Sequence, residues 1–236
     1  MPMFEAFVTN LGKYNEGALC GDWLKLPATA EEVKALFSRI GIDGVLYEEY
    51  FITTYNTDLA GMQNLGEYEN IDELNYFVTL VAELDDWELE KFEAAAAHGG
   101  HSGNAQDLIN LVQNLDCYEY YPDVSTAGEL GRYLIDELEY EEIPDNLVNY
   151  IDYEAYGRDF SINEGGDFCD SGYISRNDVD FTKYYDGHDV PSEHRICFFP
   201  DSPEKMPIKQ QLEMFGKMVV TQTANDKAAP SREDRS

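Results

Sequence analysis

Apolar positions repeat along the chain with two different periods. Short runs rich in aromatic and β-branched residues, Phe4 to Thr9 and Val45 to Thr54, read as strands. Between them Ala30 to Ile40 has helical spacing, with Thr29 placed to cap it and Glu32 three residues on as in a capping box. From Gln63 the period is helical. Leu74, Phe77, Val78 and Val81 form one apolar stripe, Trp87, Phe92 and Ala94 to Ala97 suggest a second helix stopped by Gly99-Gly100, and Leu108, Ile109, Leu111, Val112 and Leu115 suggest a third.

Beyond Cys117 the pattern is mixed. Thr126 and Glu129 resemble another capping box, opening a helix with the stripe Leu130, Leu134, Ile135 and Leu138, and Pro144 suits the first turn of a helix near Ile151. Phe160 to Asn163, the Glu164-Gly165-Gly166 turn and Gly172 to Ser175 read as a hairpin. After Val179, Ile208, Leu212, Phe215 and Val219 fit one face of a short helix, and the final dozen residues have the composition of a disordered end. The expected class is α+β, in an elongated arrangement of three small domains and a tail: 1–62 (antiparallel sheet plus helix), 63–117 (helical), 118–178 (α+β) and 179–236.

Charge divides the same segments unevenly. The 236 residues carry 47 Asp and Glu against 16 Lys and Arg, for a formal charge of −31, yet 43% of the chain is hydrophobic, enough for a folded body. Direct nucleic-acid binding is disfavoured by such a balance. Residues 63–178 hold 28 acids and four bases, whereas 1–62 have a net charge of −5 and 179–236 of only −2. A soluble surface ordinarily interleaves both signs, because like charges one helical turn apart weaken a helix.

The candidate working surface is therefore carboxylate. Glu67, Glu69, Asp72 and Glu73 precede or open the first central helix, and Glu83, Asp85, Asp86, Glu88, Glu90 and Glu93 surround the second. Glu129, Asp136, Glu137, Glu139, Glu141, Glu142, Asp145, Asp152 and Glu154 belong to the third segment. Acids at helix starts are favoured by the macrodipole, but those from Asp136 to Glu139 close a helix, where acid is disfavoured. Side chains one turn apart are separated by about 5–6 Å, and duplex DNA carries one charge per about 1.7 Å, so a net charge of −24 over the central segments corresponds to about 40 Å of duplex.

Other chemistry has less support. The chain has no Walker loop, GxSxG elbow or HExxH sequence, and Cys20, Cys117, Cys169 and Cys197 form no CxxC pair, so free thiols are expected and no cofactor is indicated. His98 and His101 flank glycines, more in keeping with a helix end than with a metal site, and Asp178, Asp180, Asp186 and Asp189 lack the EF-hand ligand order. Trp23 and Trp87 are expected in the core, and Tyr118, Tyr120, Tyr121, Tyr150, Tyr153 and Tyr156 fit either core or interface. With no apolar stretch long enough to span a bilayer and no signal-like start, a cytoplasmic location is expected.

Three separated stretches suggest a family: Gly12-Lys13-Tyr14-Asn15-Glu16-Gly17 with Gly21-Asp22-Trp23-Leu24, LGEYENIDELNYF over 65–77, and IPDNLVNYIDYEAYGRDF over 143–160. In that order they resemble the ArdA antirestriction proteins over about residues 3 to 176, leaving the tail unexplained. The resemblance implies a curved three-domain homodimer, dimerised through its third domain, that mimics bent B-form DNA. It implies a stoichiometric inhibitor, not an enzyme, that occupies the DNA groove of type I restriction-modification enzymes at their specificity and methyltransferase core and so protects incoming mobile elements. The antirestriction stretch would correspond to the run from Asp136 to Asp145. The alternatives are an acidic chaperone or general inhibitor of basic DNA-binding proteins, and a halophilic or merely acidic enzyme.

Overall fold

The structure, a computed structural model, describes residues 2–144 and 146–198. It is an α+β protein with two three-stranded antiparallel sheets. In the first, β1 (Phe4–Asn10) is central between β2 (Gly21–Lys25) and β3 (Tyr50–Thr57). Alternation along β1 puts Phe4, Ala6 and Val8 on one face, where Leu24 and Ile52 join them, and α2 (Ala30–Ile40) adds Val33, Leu36, Phe37 and Ile40. The short α1 (Leu11–Asn15) joins β1 to β2. The α2 prediction holds to the residue. Thr29 and Glu32 form the reciprocal capping box, and Gly41, at φ 78°, ends the helix in the left-handed region open to glycine.

The strand expected over 45–54 is displaced to Tyr50–Thr57. The Asp43 carboxylate accepts the backbone N–H groups of Val45, Leu46 and Tyr47 at 2.8–3.0 Å, so this stretch closes a turn and offers no ladder donors. The segment Gly21–Lys25, read from sequence only as turn and motif, forms an edge strand. Trp23 there points away from Leu24 and is 41% exposed, lying edge-on to Phe7 at 5.2 Å. Trp87 is likewise 47% exposed, at the start of a helix, and rests on Tyr120. Neither tryptophan is a core residue.

The central helices are α3 (Ile71–Glu83), α4 (Asp86–His98) and α5 (Ala105–Val112). Asn70, Asp85 and Asn104 cap them through side-chain oxygens. The expected stripe of α3 is buried together with Ile71, and Phe77 meets Phe4 on one side and Phe92 on the other. Leu115 lies past α5 in a single 3₁₀ turn, Leu115–Cys117.

The second sheet has the order β4 (Tyr118–Pro122), β6 (Gly172–Arg176), β5 (Asp167–Cys169). Its hairpin is β5–β6, and Phe160 to Asn163, expected to be a strand, closes the helix α7 (Tyr153–Glu164) instead. Asp152 caps that helix at its start, and Gly165 at φ 65° ends it. The helix α6 (Ala127–Arg132) continues into a π turn, Tyr133–Glu137. That extra residue per turn rotates the predicted stripe, so Leu130, Leu134 and Ile135 are buried and Leu138 is 42% exposed. The Thr126 box is half formed: Thr126 caps Glu129, but the Glu129 side chain turns back to Ser125. Pro144 precedes a 3₁₀ turn, Val148–Tyr150, not an α-helix.

One apolar cluster runs from Phe4 and Leu36 through Phe77 and Phe92 to Tyr120 and Ile174, and a smaller one joins Val124, Leu130, Leu134 and Tyr173. Tyr118 and Tyr120 are thus core residues, whereas Tyr150 is 83% exposed. Among the described residues no helix is long and apolar enough to cross a membrane. The predicted helix at Ile208, Leu212, Phe215 and Val219 lies outside the described residues, as does the final stretch.

In α6 and α7 two glycines permit backbone contact. A side chain on Gly131 would run into the Tyr153 carbonyl, and one on Gly157 into the Ala127 carbonyl. Gly131→Ala is therefore expected to cost at least about 2 kcal/mol, read as a lower denaturant midpoint in equilibrium unfolding. Burial raises the Cys117 thiol, and burial followed by the Asp72 carboxylate pushes Cys197 up to about 12. Because the thiolate is the nucleophile, native protein should release a thiol-reagent signal first from the half-buried Cys20 and Cys169, with Cys117 and Cys197 reacting on unfolding.

Candidate partner-binding acidic surface

The predicted carboxylates separate into those with internal duties and those without. Around α4, Asp85 and Glu88 bond each other's backbone N–H groups as a capping box at 2.8 and 3.1 Å. Glu93 accepts the Ala60 N–H, tying α4 to the turn after β3. Glu83, Asp86 and Glu90 are exposed and make no side-chain hydrogen bond among the described residues. Asp86 and Glu90 are one turn apart on the helix, the spacing at which like charges face each other.

The group near the start of α3 is more occupied. Glu69 holds the Gly66 and Ala105 N–H groups, one on each oxygen. Asp72 accepts the N–H groups of Ile196 and Cys197, both at 2.7 Å. Glu73 accepts the Tyr185 hydroxyl at 2.8 Å, and burial raises its carboxyl above the ordinary range despite that bond. Glu67 alone of this group is exposed with a side chain that makes no hydrogen bond among the described residues.

In the third segment, Glu129 is held by the Ser125 N–H and hydroxyl, which lower its carboxyl. Asp136 accepts the Tyr153 hydroxyl at 3.0 Å, and Asp152 caps α7 through the Ala155 N–H. Glu137, Glu139, Glu141, Glu142 and Glu154 are exposed and form no side-chain hydrogen bond among the described residues. Glu139 sits at φ 49°, where the chain turns away from the π turn. Asp136, Glu139, Glu141 and Glu142 line an open depression of about 490 Å³ floored by Ile135 and Ile143. Asp145 lies outside the described residues.

Three arginine–carboxylate ion pairs occur among the described residues, Arg39–Asp22, Arg158–Asp159 and Arg195–Asp189, and His98 meets Asp167 in a contact that is an ion pair only when the histidine is protonated. None uses a predicted surface carboxylate. Arg132, the base closest in sequence to the densest run, lies over the Tyr153 ring instead. The two histidines considered for metal are engaged separately, His98 with Asp167 at 2.6 Å and His101 stacked on Phe181 at 3.7 Å.

Sequence reading missed Glu48 and Glu49. Both are exposed and share a depression of about 340 Å³ with Glu69. They precede β3 within a segment whose modest net charge drew no attention, and only the return of the chain past Glu69 brings the acids together. A further depression, of about 470 Å³, places Glu119, Glu164 and Asp178 near Arg176.

A family model described as Antirestriction protein (ArdA) matches residues 6–175, well over half of the chain. No curated protein matches the chain.

The raised carboxyl of Glu73 gives a pH test. Its ionised form is penalised in the folded state, so this penalty is present above the folded value and disappears as pH falls toward the unfolded value of 4.5. Glu73→Gln, which retains an acceptor for Tyr185, should be at least as stable as the natural chain at pH 7. The difference should shrink toward pH 4 when unfolding is measured in parallel.

Proposed function

The chain belongs to the ArdA family of antirestriction proteins, and from that membership we propose that it inhibits type I restriction-modification enzymes by presenting carboxylates to their DNA groove. Antirestriction activity, with a restriction-modification enzyme as the partner, follows from the family, which is one of inhibitors and not of enzymes. The finer reading is mimicry of B-form DNA: a stoichiometric homodimer, acting in the cytoplasm, engages the specificity and methyltransferase core. Its working parts are an N-terminal unit ending near residue 62, a helical unit to about 117 and an acidic unit to about 178.

One observation carries this reading. None of the predicted surface carboxylates in the described residues is neutralised by an ion pair, and Glu67, Glu83, Asp86, Glu90, Glu137, Glu139, Glu141, Glu142 and Glu154 have no side-chain hydrogen bond either. A fold that only needed solubility would gain from interleaved bases, which stabilise helices through i,i+4 pairs. Leaving these groups open preserves a field that a basic DNA groove meets as it meets phosphate. The acids held by backbone N–H groups, such as Asp85, Glu88 and Asp152, contribute to the same field from fixed positions.

The reading is tested by titrating the protein against DNA bound to a purified type I enzyme and, in parallel, to an unrelated basic DNA-binding protein. Displacement from the type I enzyme alone, weakening with added salt, is expected. No displacement there would falsify the proposal, and equal displacement from both would identify a general inhibitor or chaperone. An exposed charge contributes about 0.2–1 kcal/mol. Single neutralisations should therefore shift the midpoint less than about fivefold, whereas joint replacement of Glu137, Glu139, Glu141 and Glu142 by Gln should weaken inhibition about tenfold or more.

A further inference from the structure

Residues 177–198 lie beyond the family match, yet they are bound to the central helices by side chains that read their backbone. Asn177 starts the segment by donating from its side chain to the Asp116 carbonyl at 2.7 Å. Asn114, buried on the helical side, then donates to the Thr182 carbonyl and accepts the Thr182 N–H, both at 2.8 Å. One helical turn back, Asn110 repeats the arrangement on Tyr185, at 2.8 and 2.9 Å. A carboxamide making both bonds to one residue imitates a neighbouring β-strand, and here one such residue, Asn110, lies on α5 and the other, Asn114, just past its end.

The far end is fixed in the same manner. Asn75 donates to the His194 carbonyl at 3.1 Å while accepting the Ala28 N–H at 2.8 Å, so one buried amide joins the segment to the chain entering α2. Asp72 receives the Ile196 and Cys197 N–H groups. Between these anchors Tyr185, Val190 and Ile196 are buried, the Tyr185 hydroxyl reaches Glu73, and Tyr76 stacks on His194 at 4.6 Å. By contrast Asp180, Lys183, Tyr184 and His188 point outward.

We propose that the α3–α5 face is a groove that reads peptide backbone, filled in this chain by its own residues 180–197, which run without regular structure into a 3₁₀ turn at Ser192–His194, so that Asp72 and Glu73 serve as peptide anchors and not as partner contacts. The second half of this inference rests on the inhibitory reading above; the first stands without it. Most of the bonds go to main-chain groups, with Tyr185, Val190 and Ile196 supplying the selective contacts.

Hydrogen exchange by mass spectrometry on the full chain tests the groove. Asn114→Ala and Asp72→Ala should each speed amide exchange within 180–197 by about tenfold, while β1 and α3 keep their protection. Tyr185→Phe, which removes a single hydroxyl, provides a milder reading should either variant unfold globally. Joint replacement of Asp180, Lys183, Tyr184 and His188 by alanine should leave protection unchanged. Unchanged exchange in Asn114→Ala and Asp72→Ala, or lost protection in the four-alanine chain, would overturn the groove. Asp72→Ala should also displace DNA from the type I enzyme within about twofold of the natural chain, since its carboxylate carries no partner contact. If it fails to do so while Asn114→Ala, loosened to the same extent, still inhibits, Asp72 touches the partner and the assignment is wrong. Failure of the natural chain to displace DNA would defeat the inhibitory reading without altering the exchange result.

Discussion

Mutual repulsion of carboxylates is the constraint under which every other part of this molecule operates. A formal charge of −31, with histidine neutral, favours expansion, and among the described residues only three arginine–carboxylate ion pairs oppose it. Compactness therefore has to come from uncharged contacts. The aromatic chain from Phe4 through Phe77 to Phe92 supplies apolar burial shared by sheet and helices. The remaining contribution comes from carboxylates acting as hydrogen-bond acceptors: Asp43, Glu69, Asp72 and Asp85 each hold backbone N–H groups, so that a charge which repels its neighbours also makes a local tie.

That double use explains how far sequence alone could go. Helix α2 was legible because its cap, its box and its terminal glycine agree with its apolar stripe, and α3 because Leu74, Phe77, Val78 and Val81 face one core. The failures have physical causes. The Asp43 turn removed donors from an apparently strand-like run, a π turn rotated Leu138 out of its stripe, and Gly165 ended a helix where a hairpin turn was read. Both tryptophans belong to the exposed faces of amphipathic elements, and residue type could not say which face was exposed.

The acidic surface was legible as a quantity but not as a set of positions. Counting assigned Asp72, Glu73 and Glu142 the same status, whereas the fold leaves Glu142 open and commits the other two to a segment more than a hundred residues later in the chain. No local pattern announces such a commitment, since the residues that decide it are unremarkable polar positions, Asn75 and Asn110 on otherwise apolar helix faces and Asn114 in the turn after α5. Glu48 and Glu49 were overlooked for the opposite reason: their neighbour Glu69 is brought to them only by tertiary folding.

The contact between α6 and α7 bears on the proposed imitation of a duplex. With Gly131 against the Tyr153 carbonyl and Gly157 against the Ala127 carbonyl, two backbones meet with no side chain between them to compress or rearrange. Glu129, Asp136, Asp152 and Glu154 are carried by this pair and its immediate ends, so their spacing behaves like the pitch of a rigid screw. A duplex can bend and retwist to suit the protein that grips it; a screw of fixed pitch selects the thread that already fits.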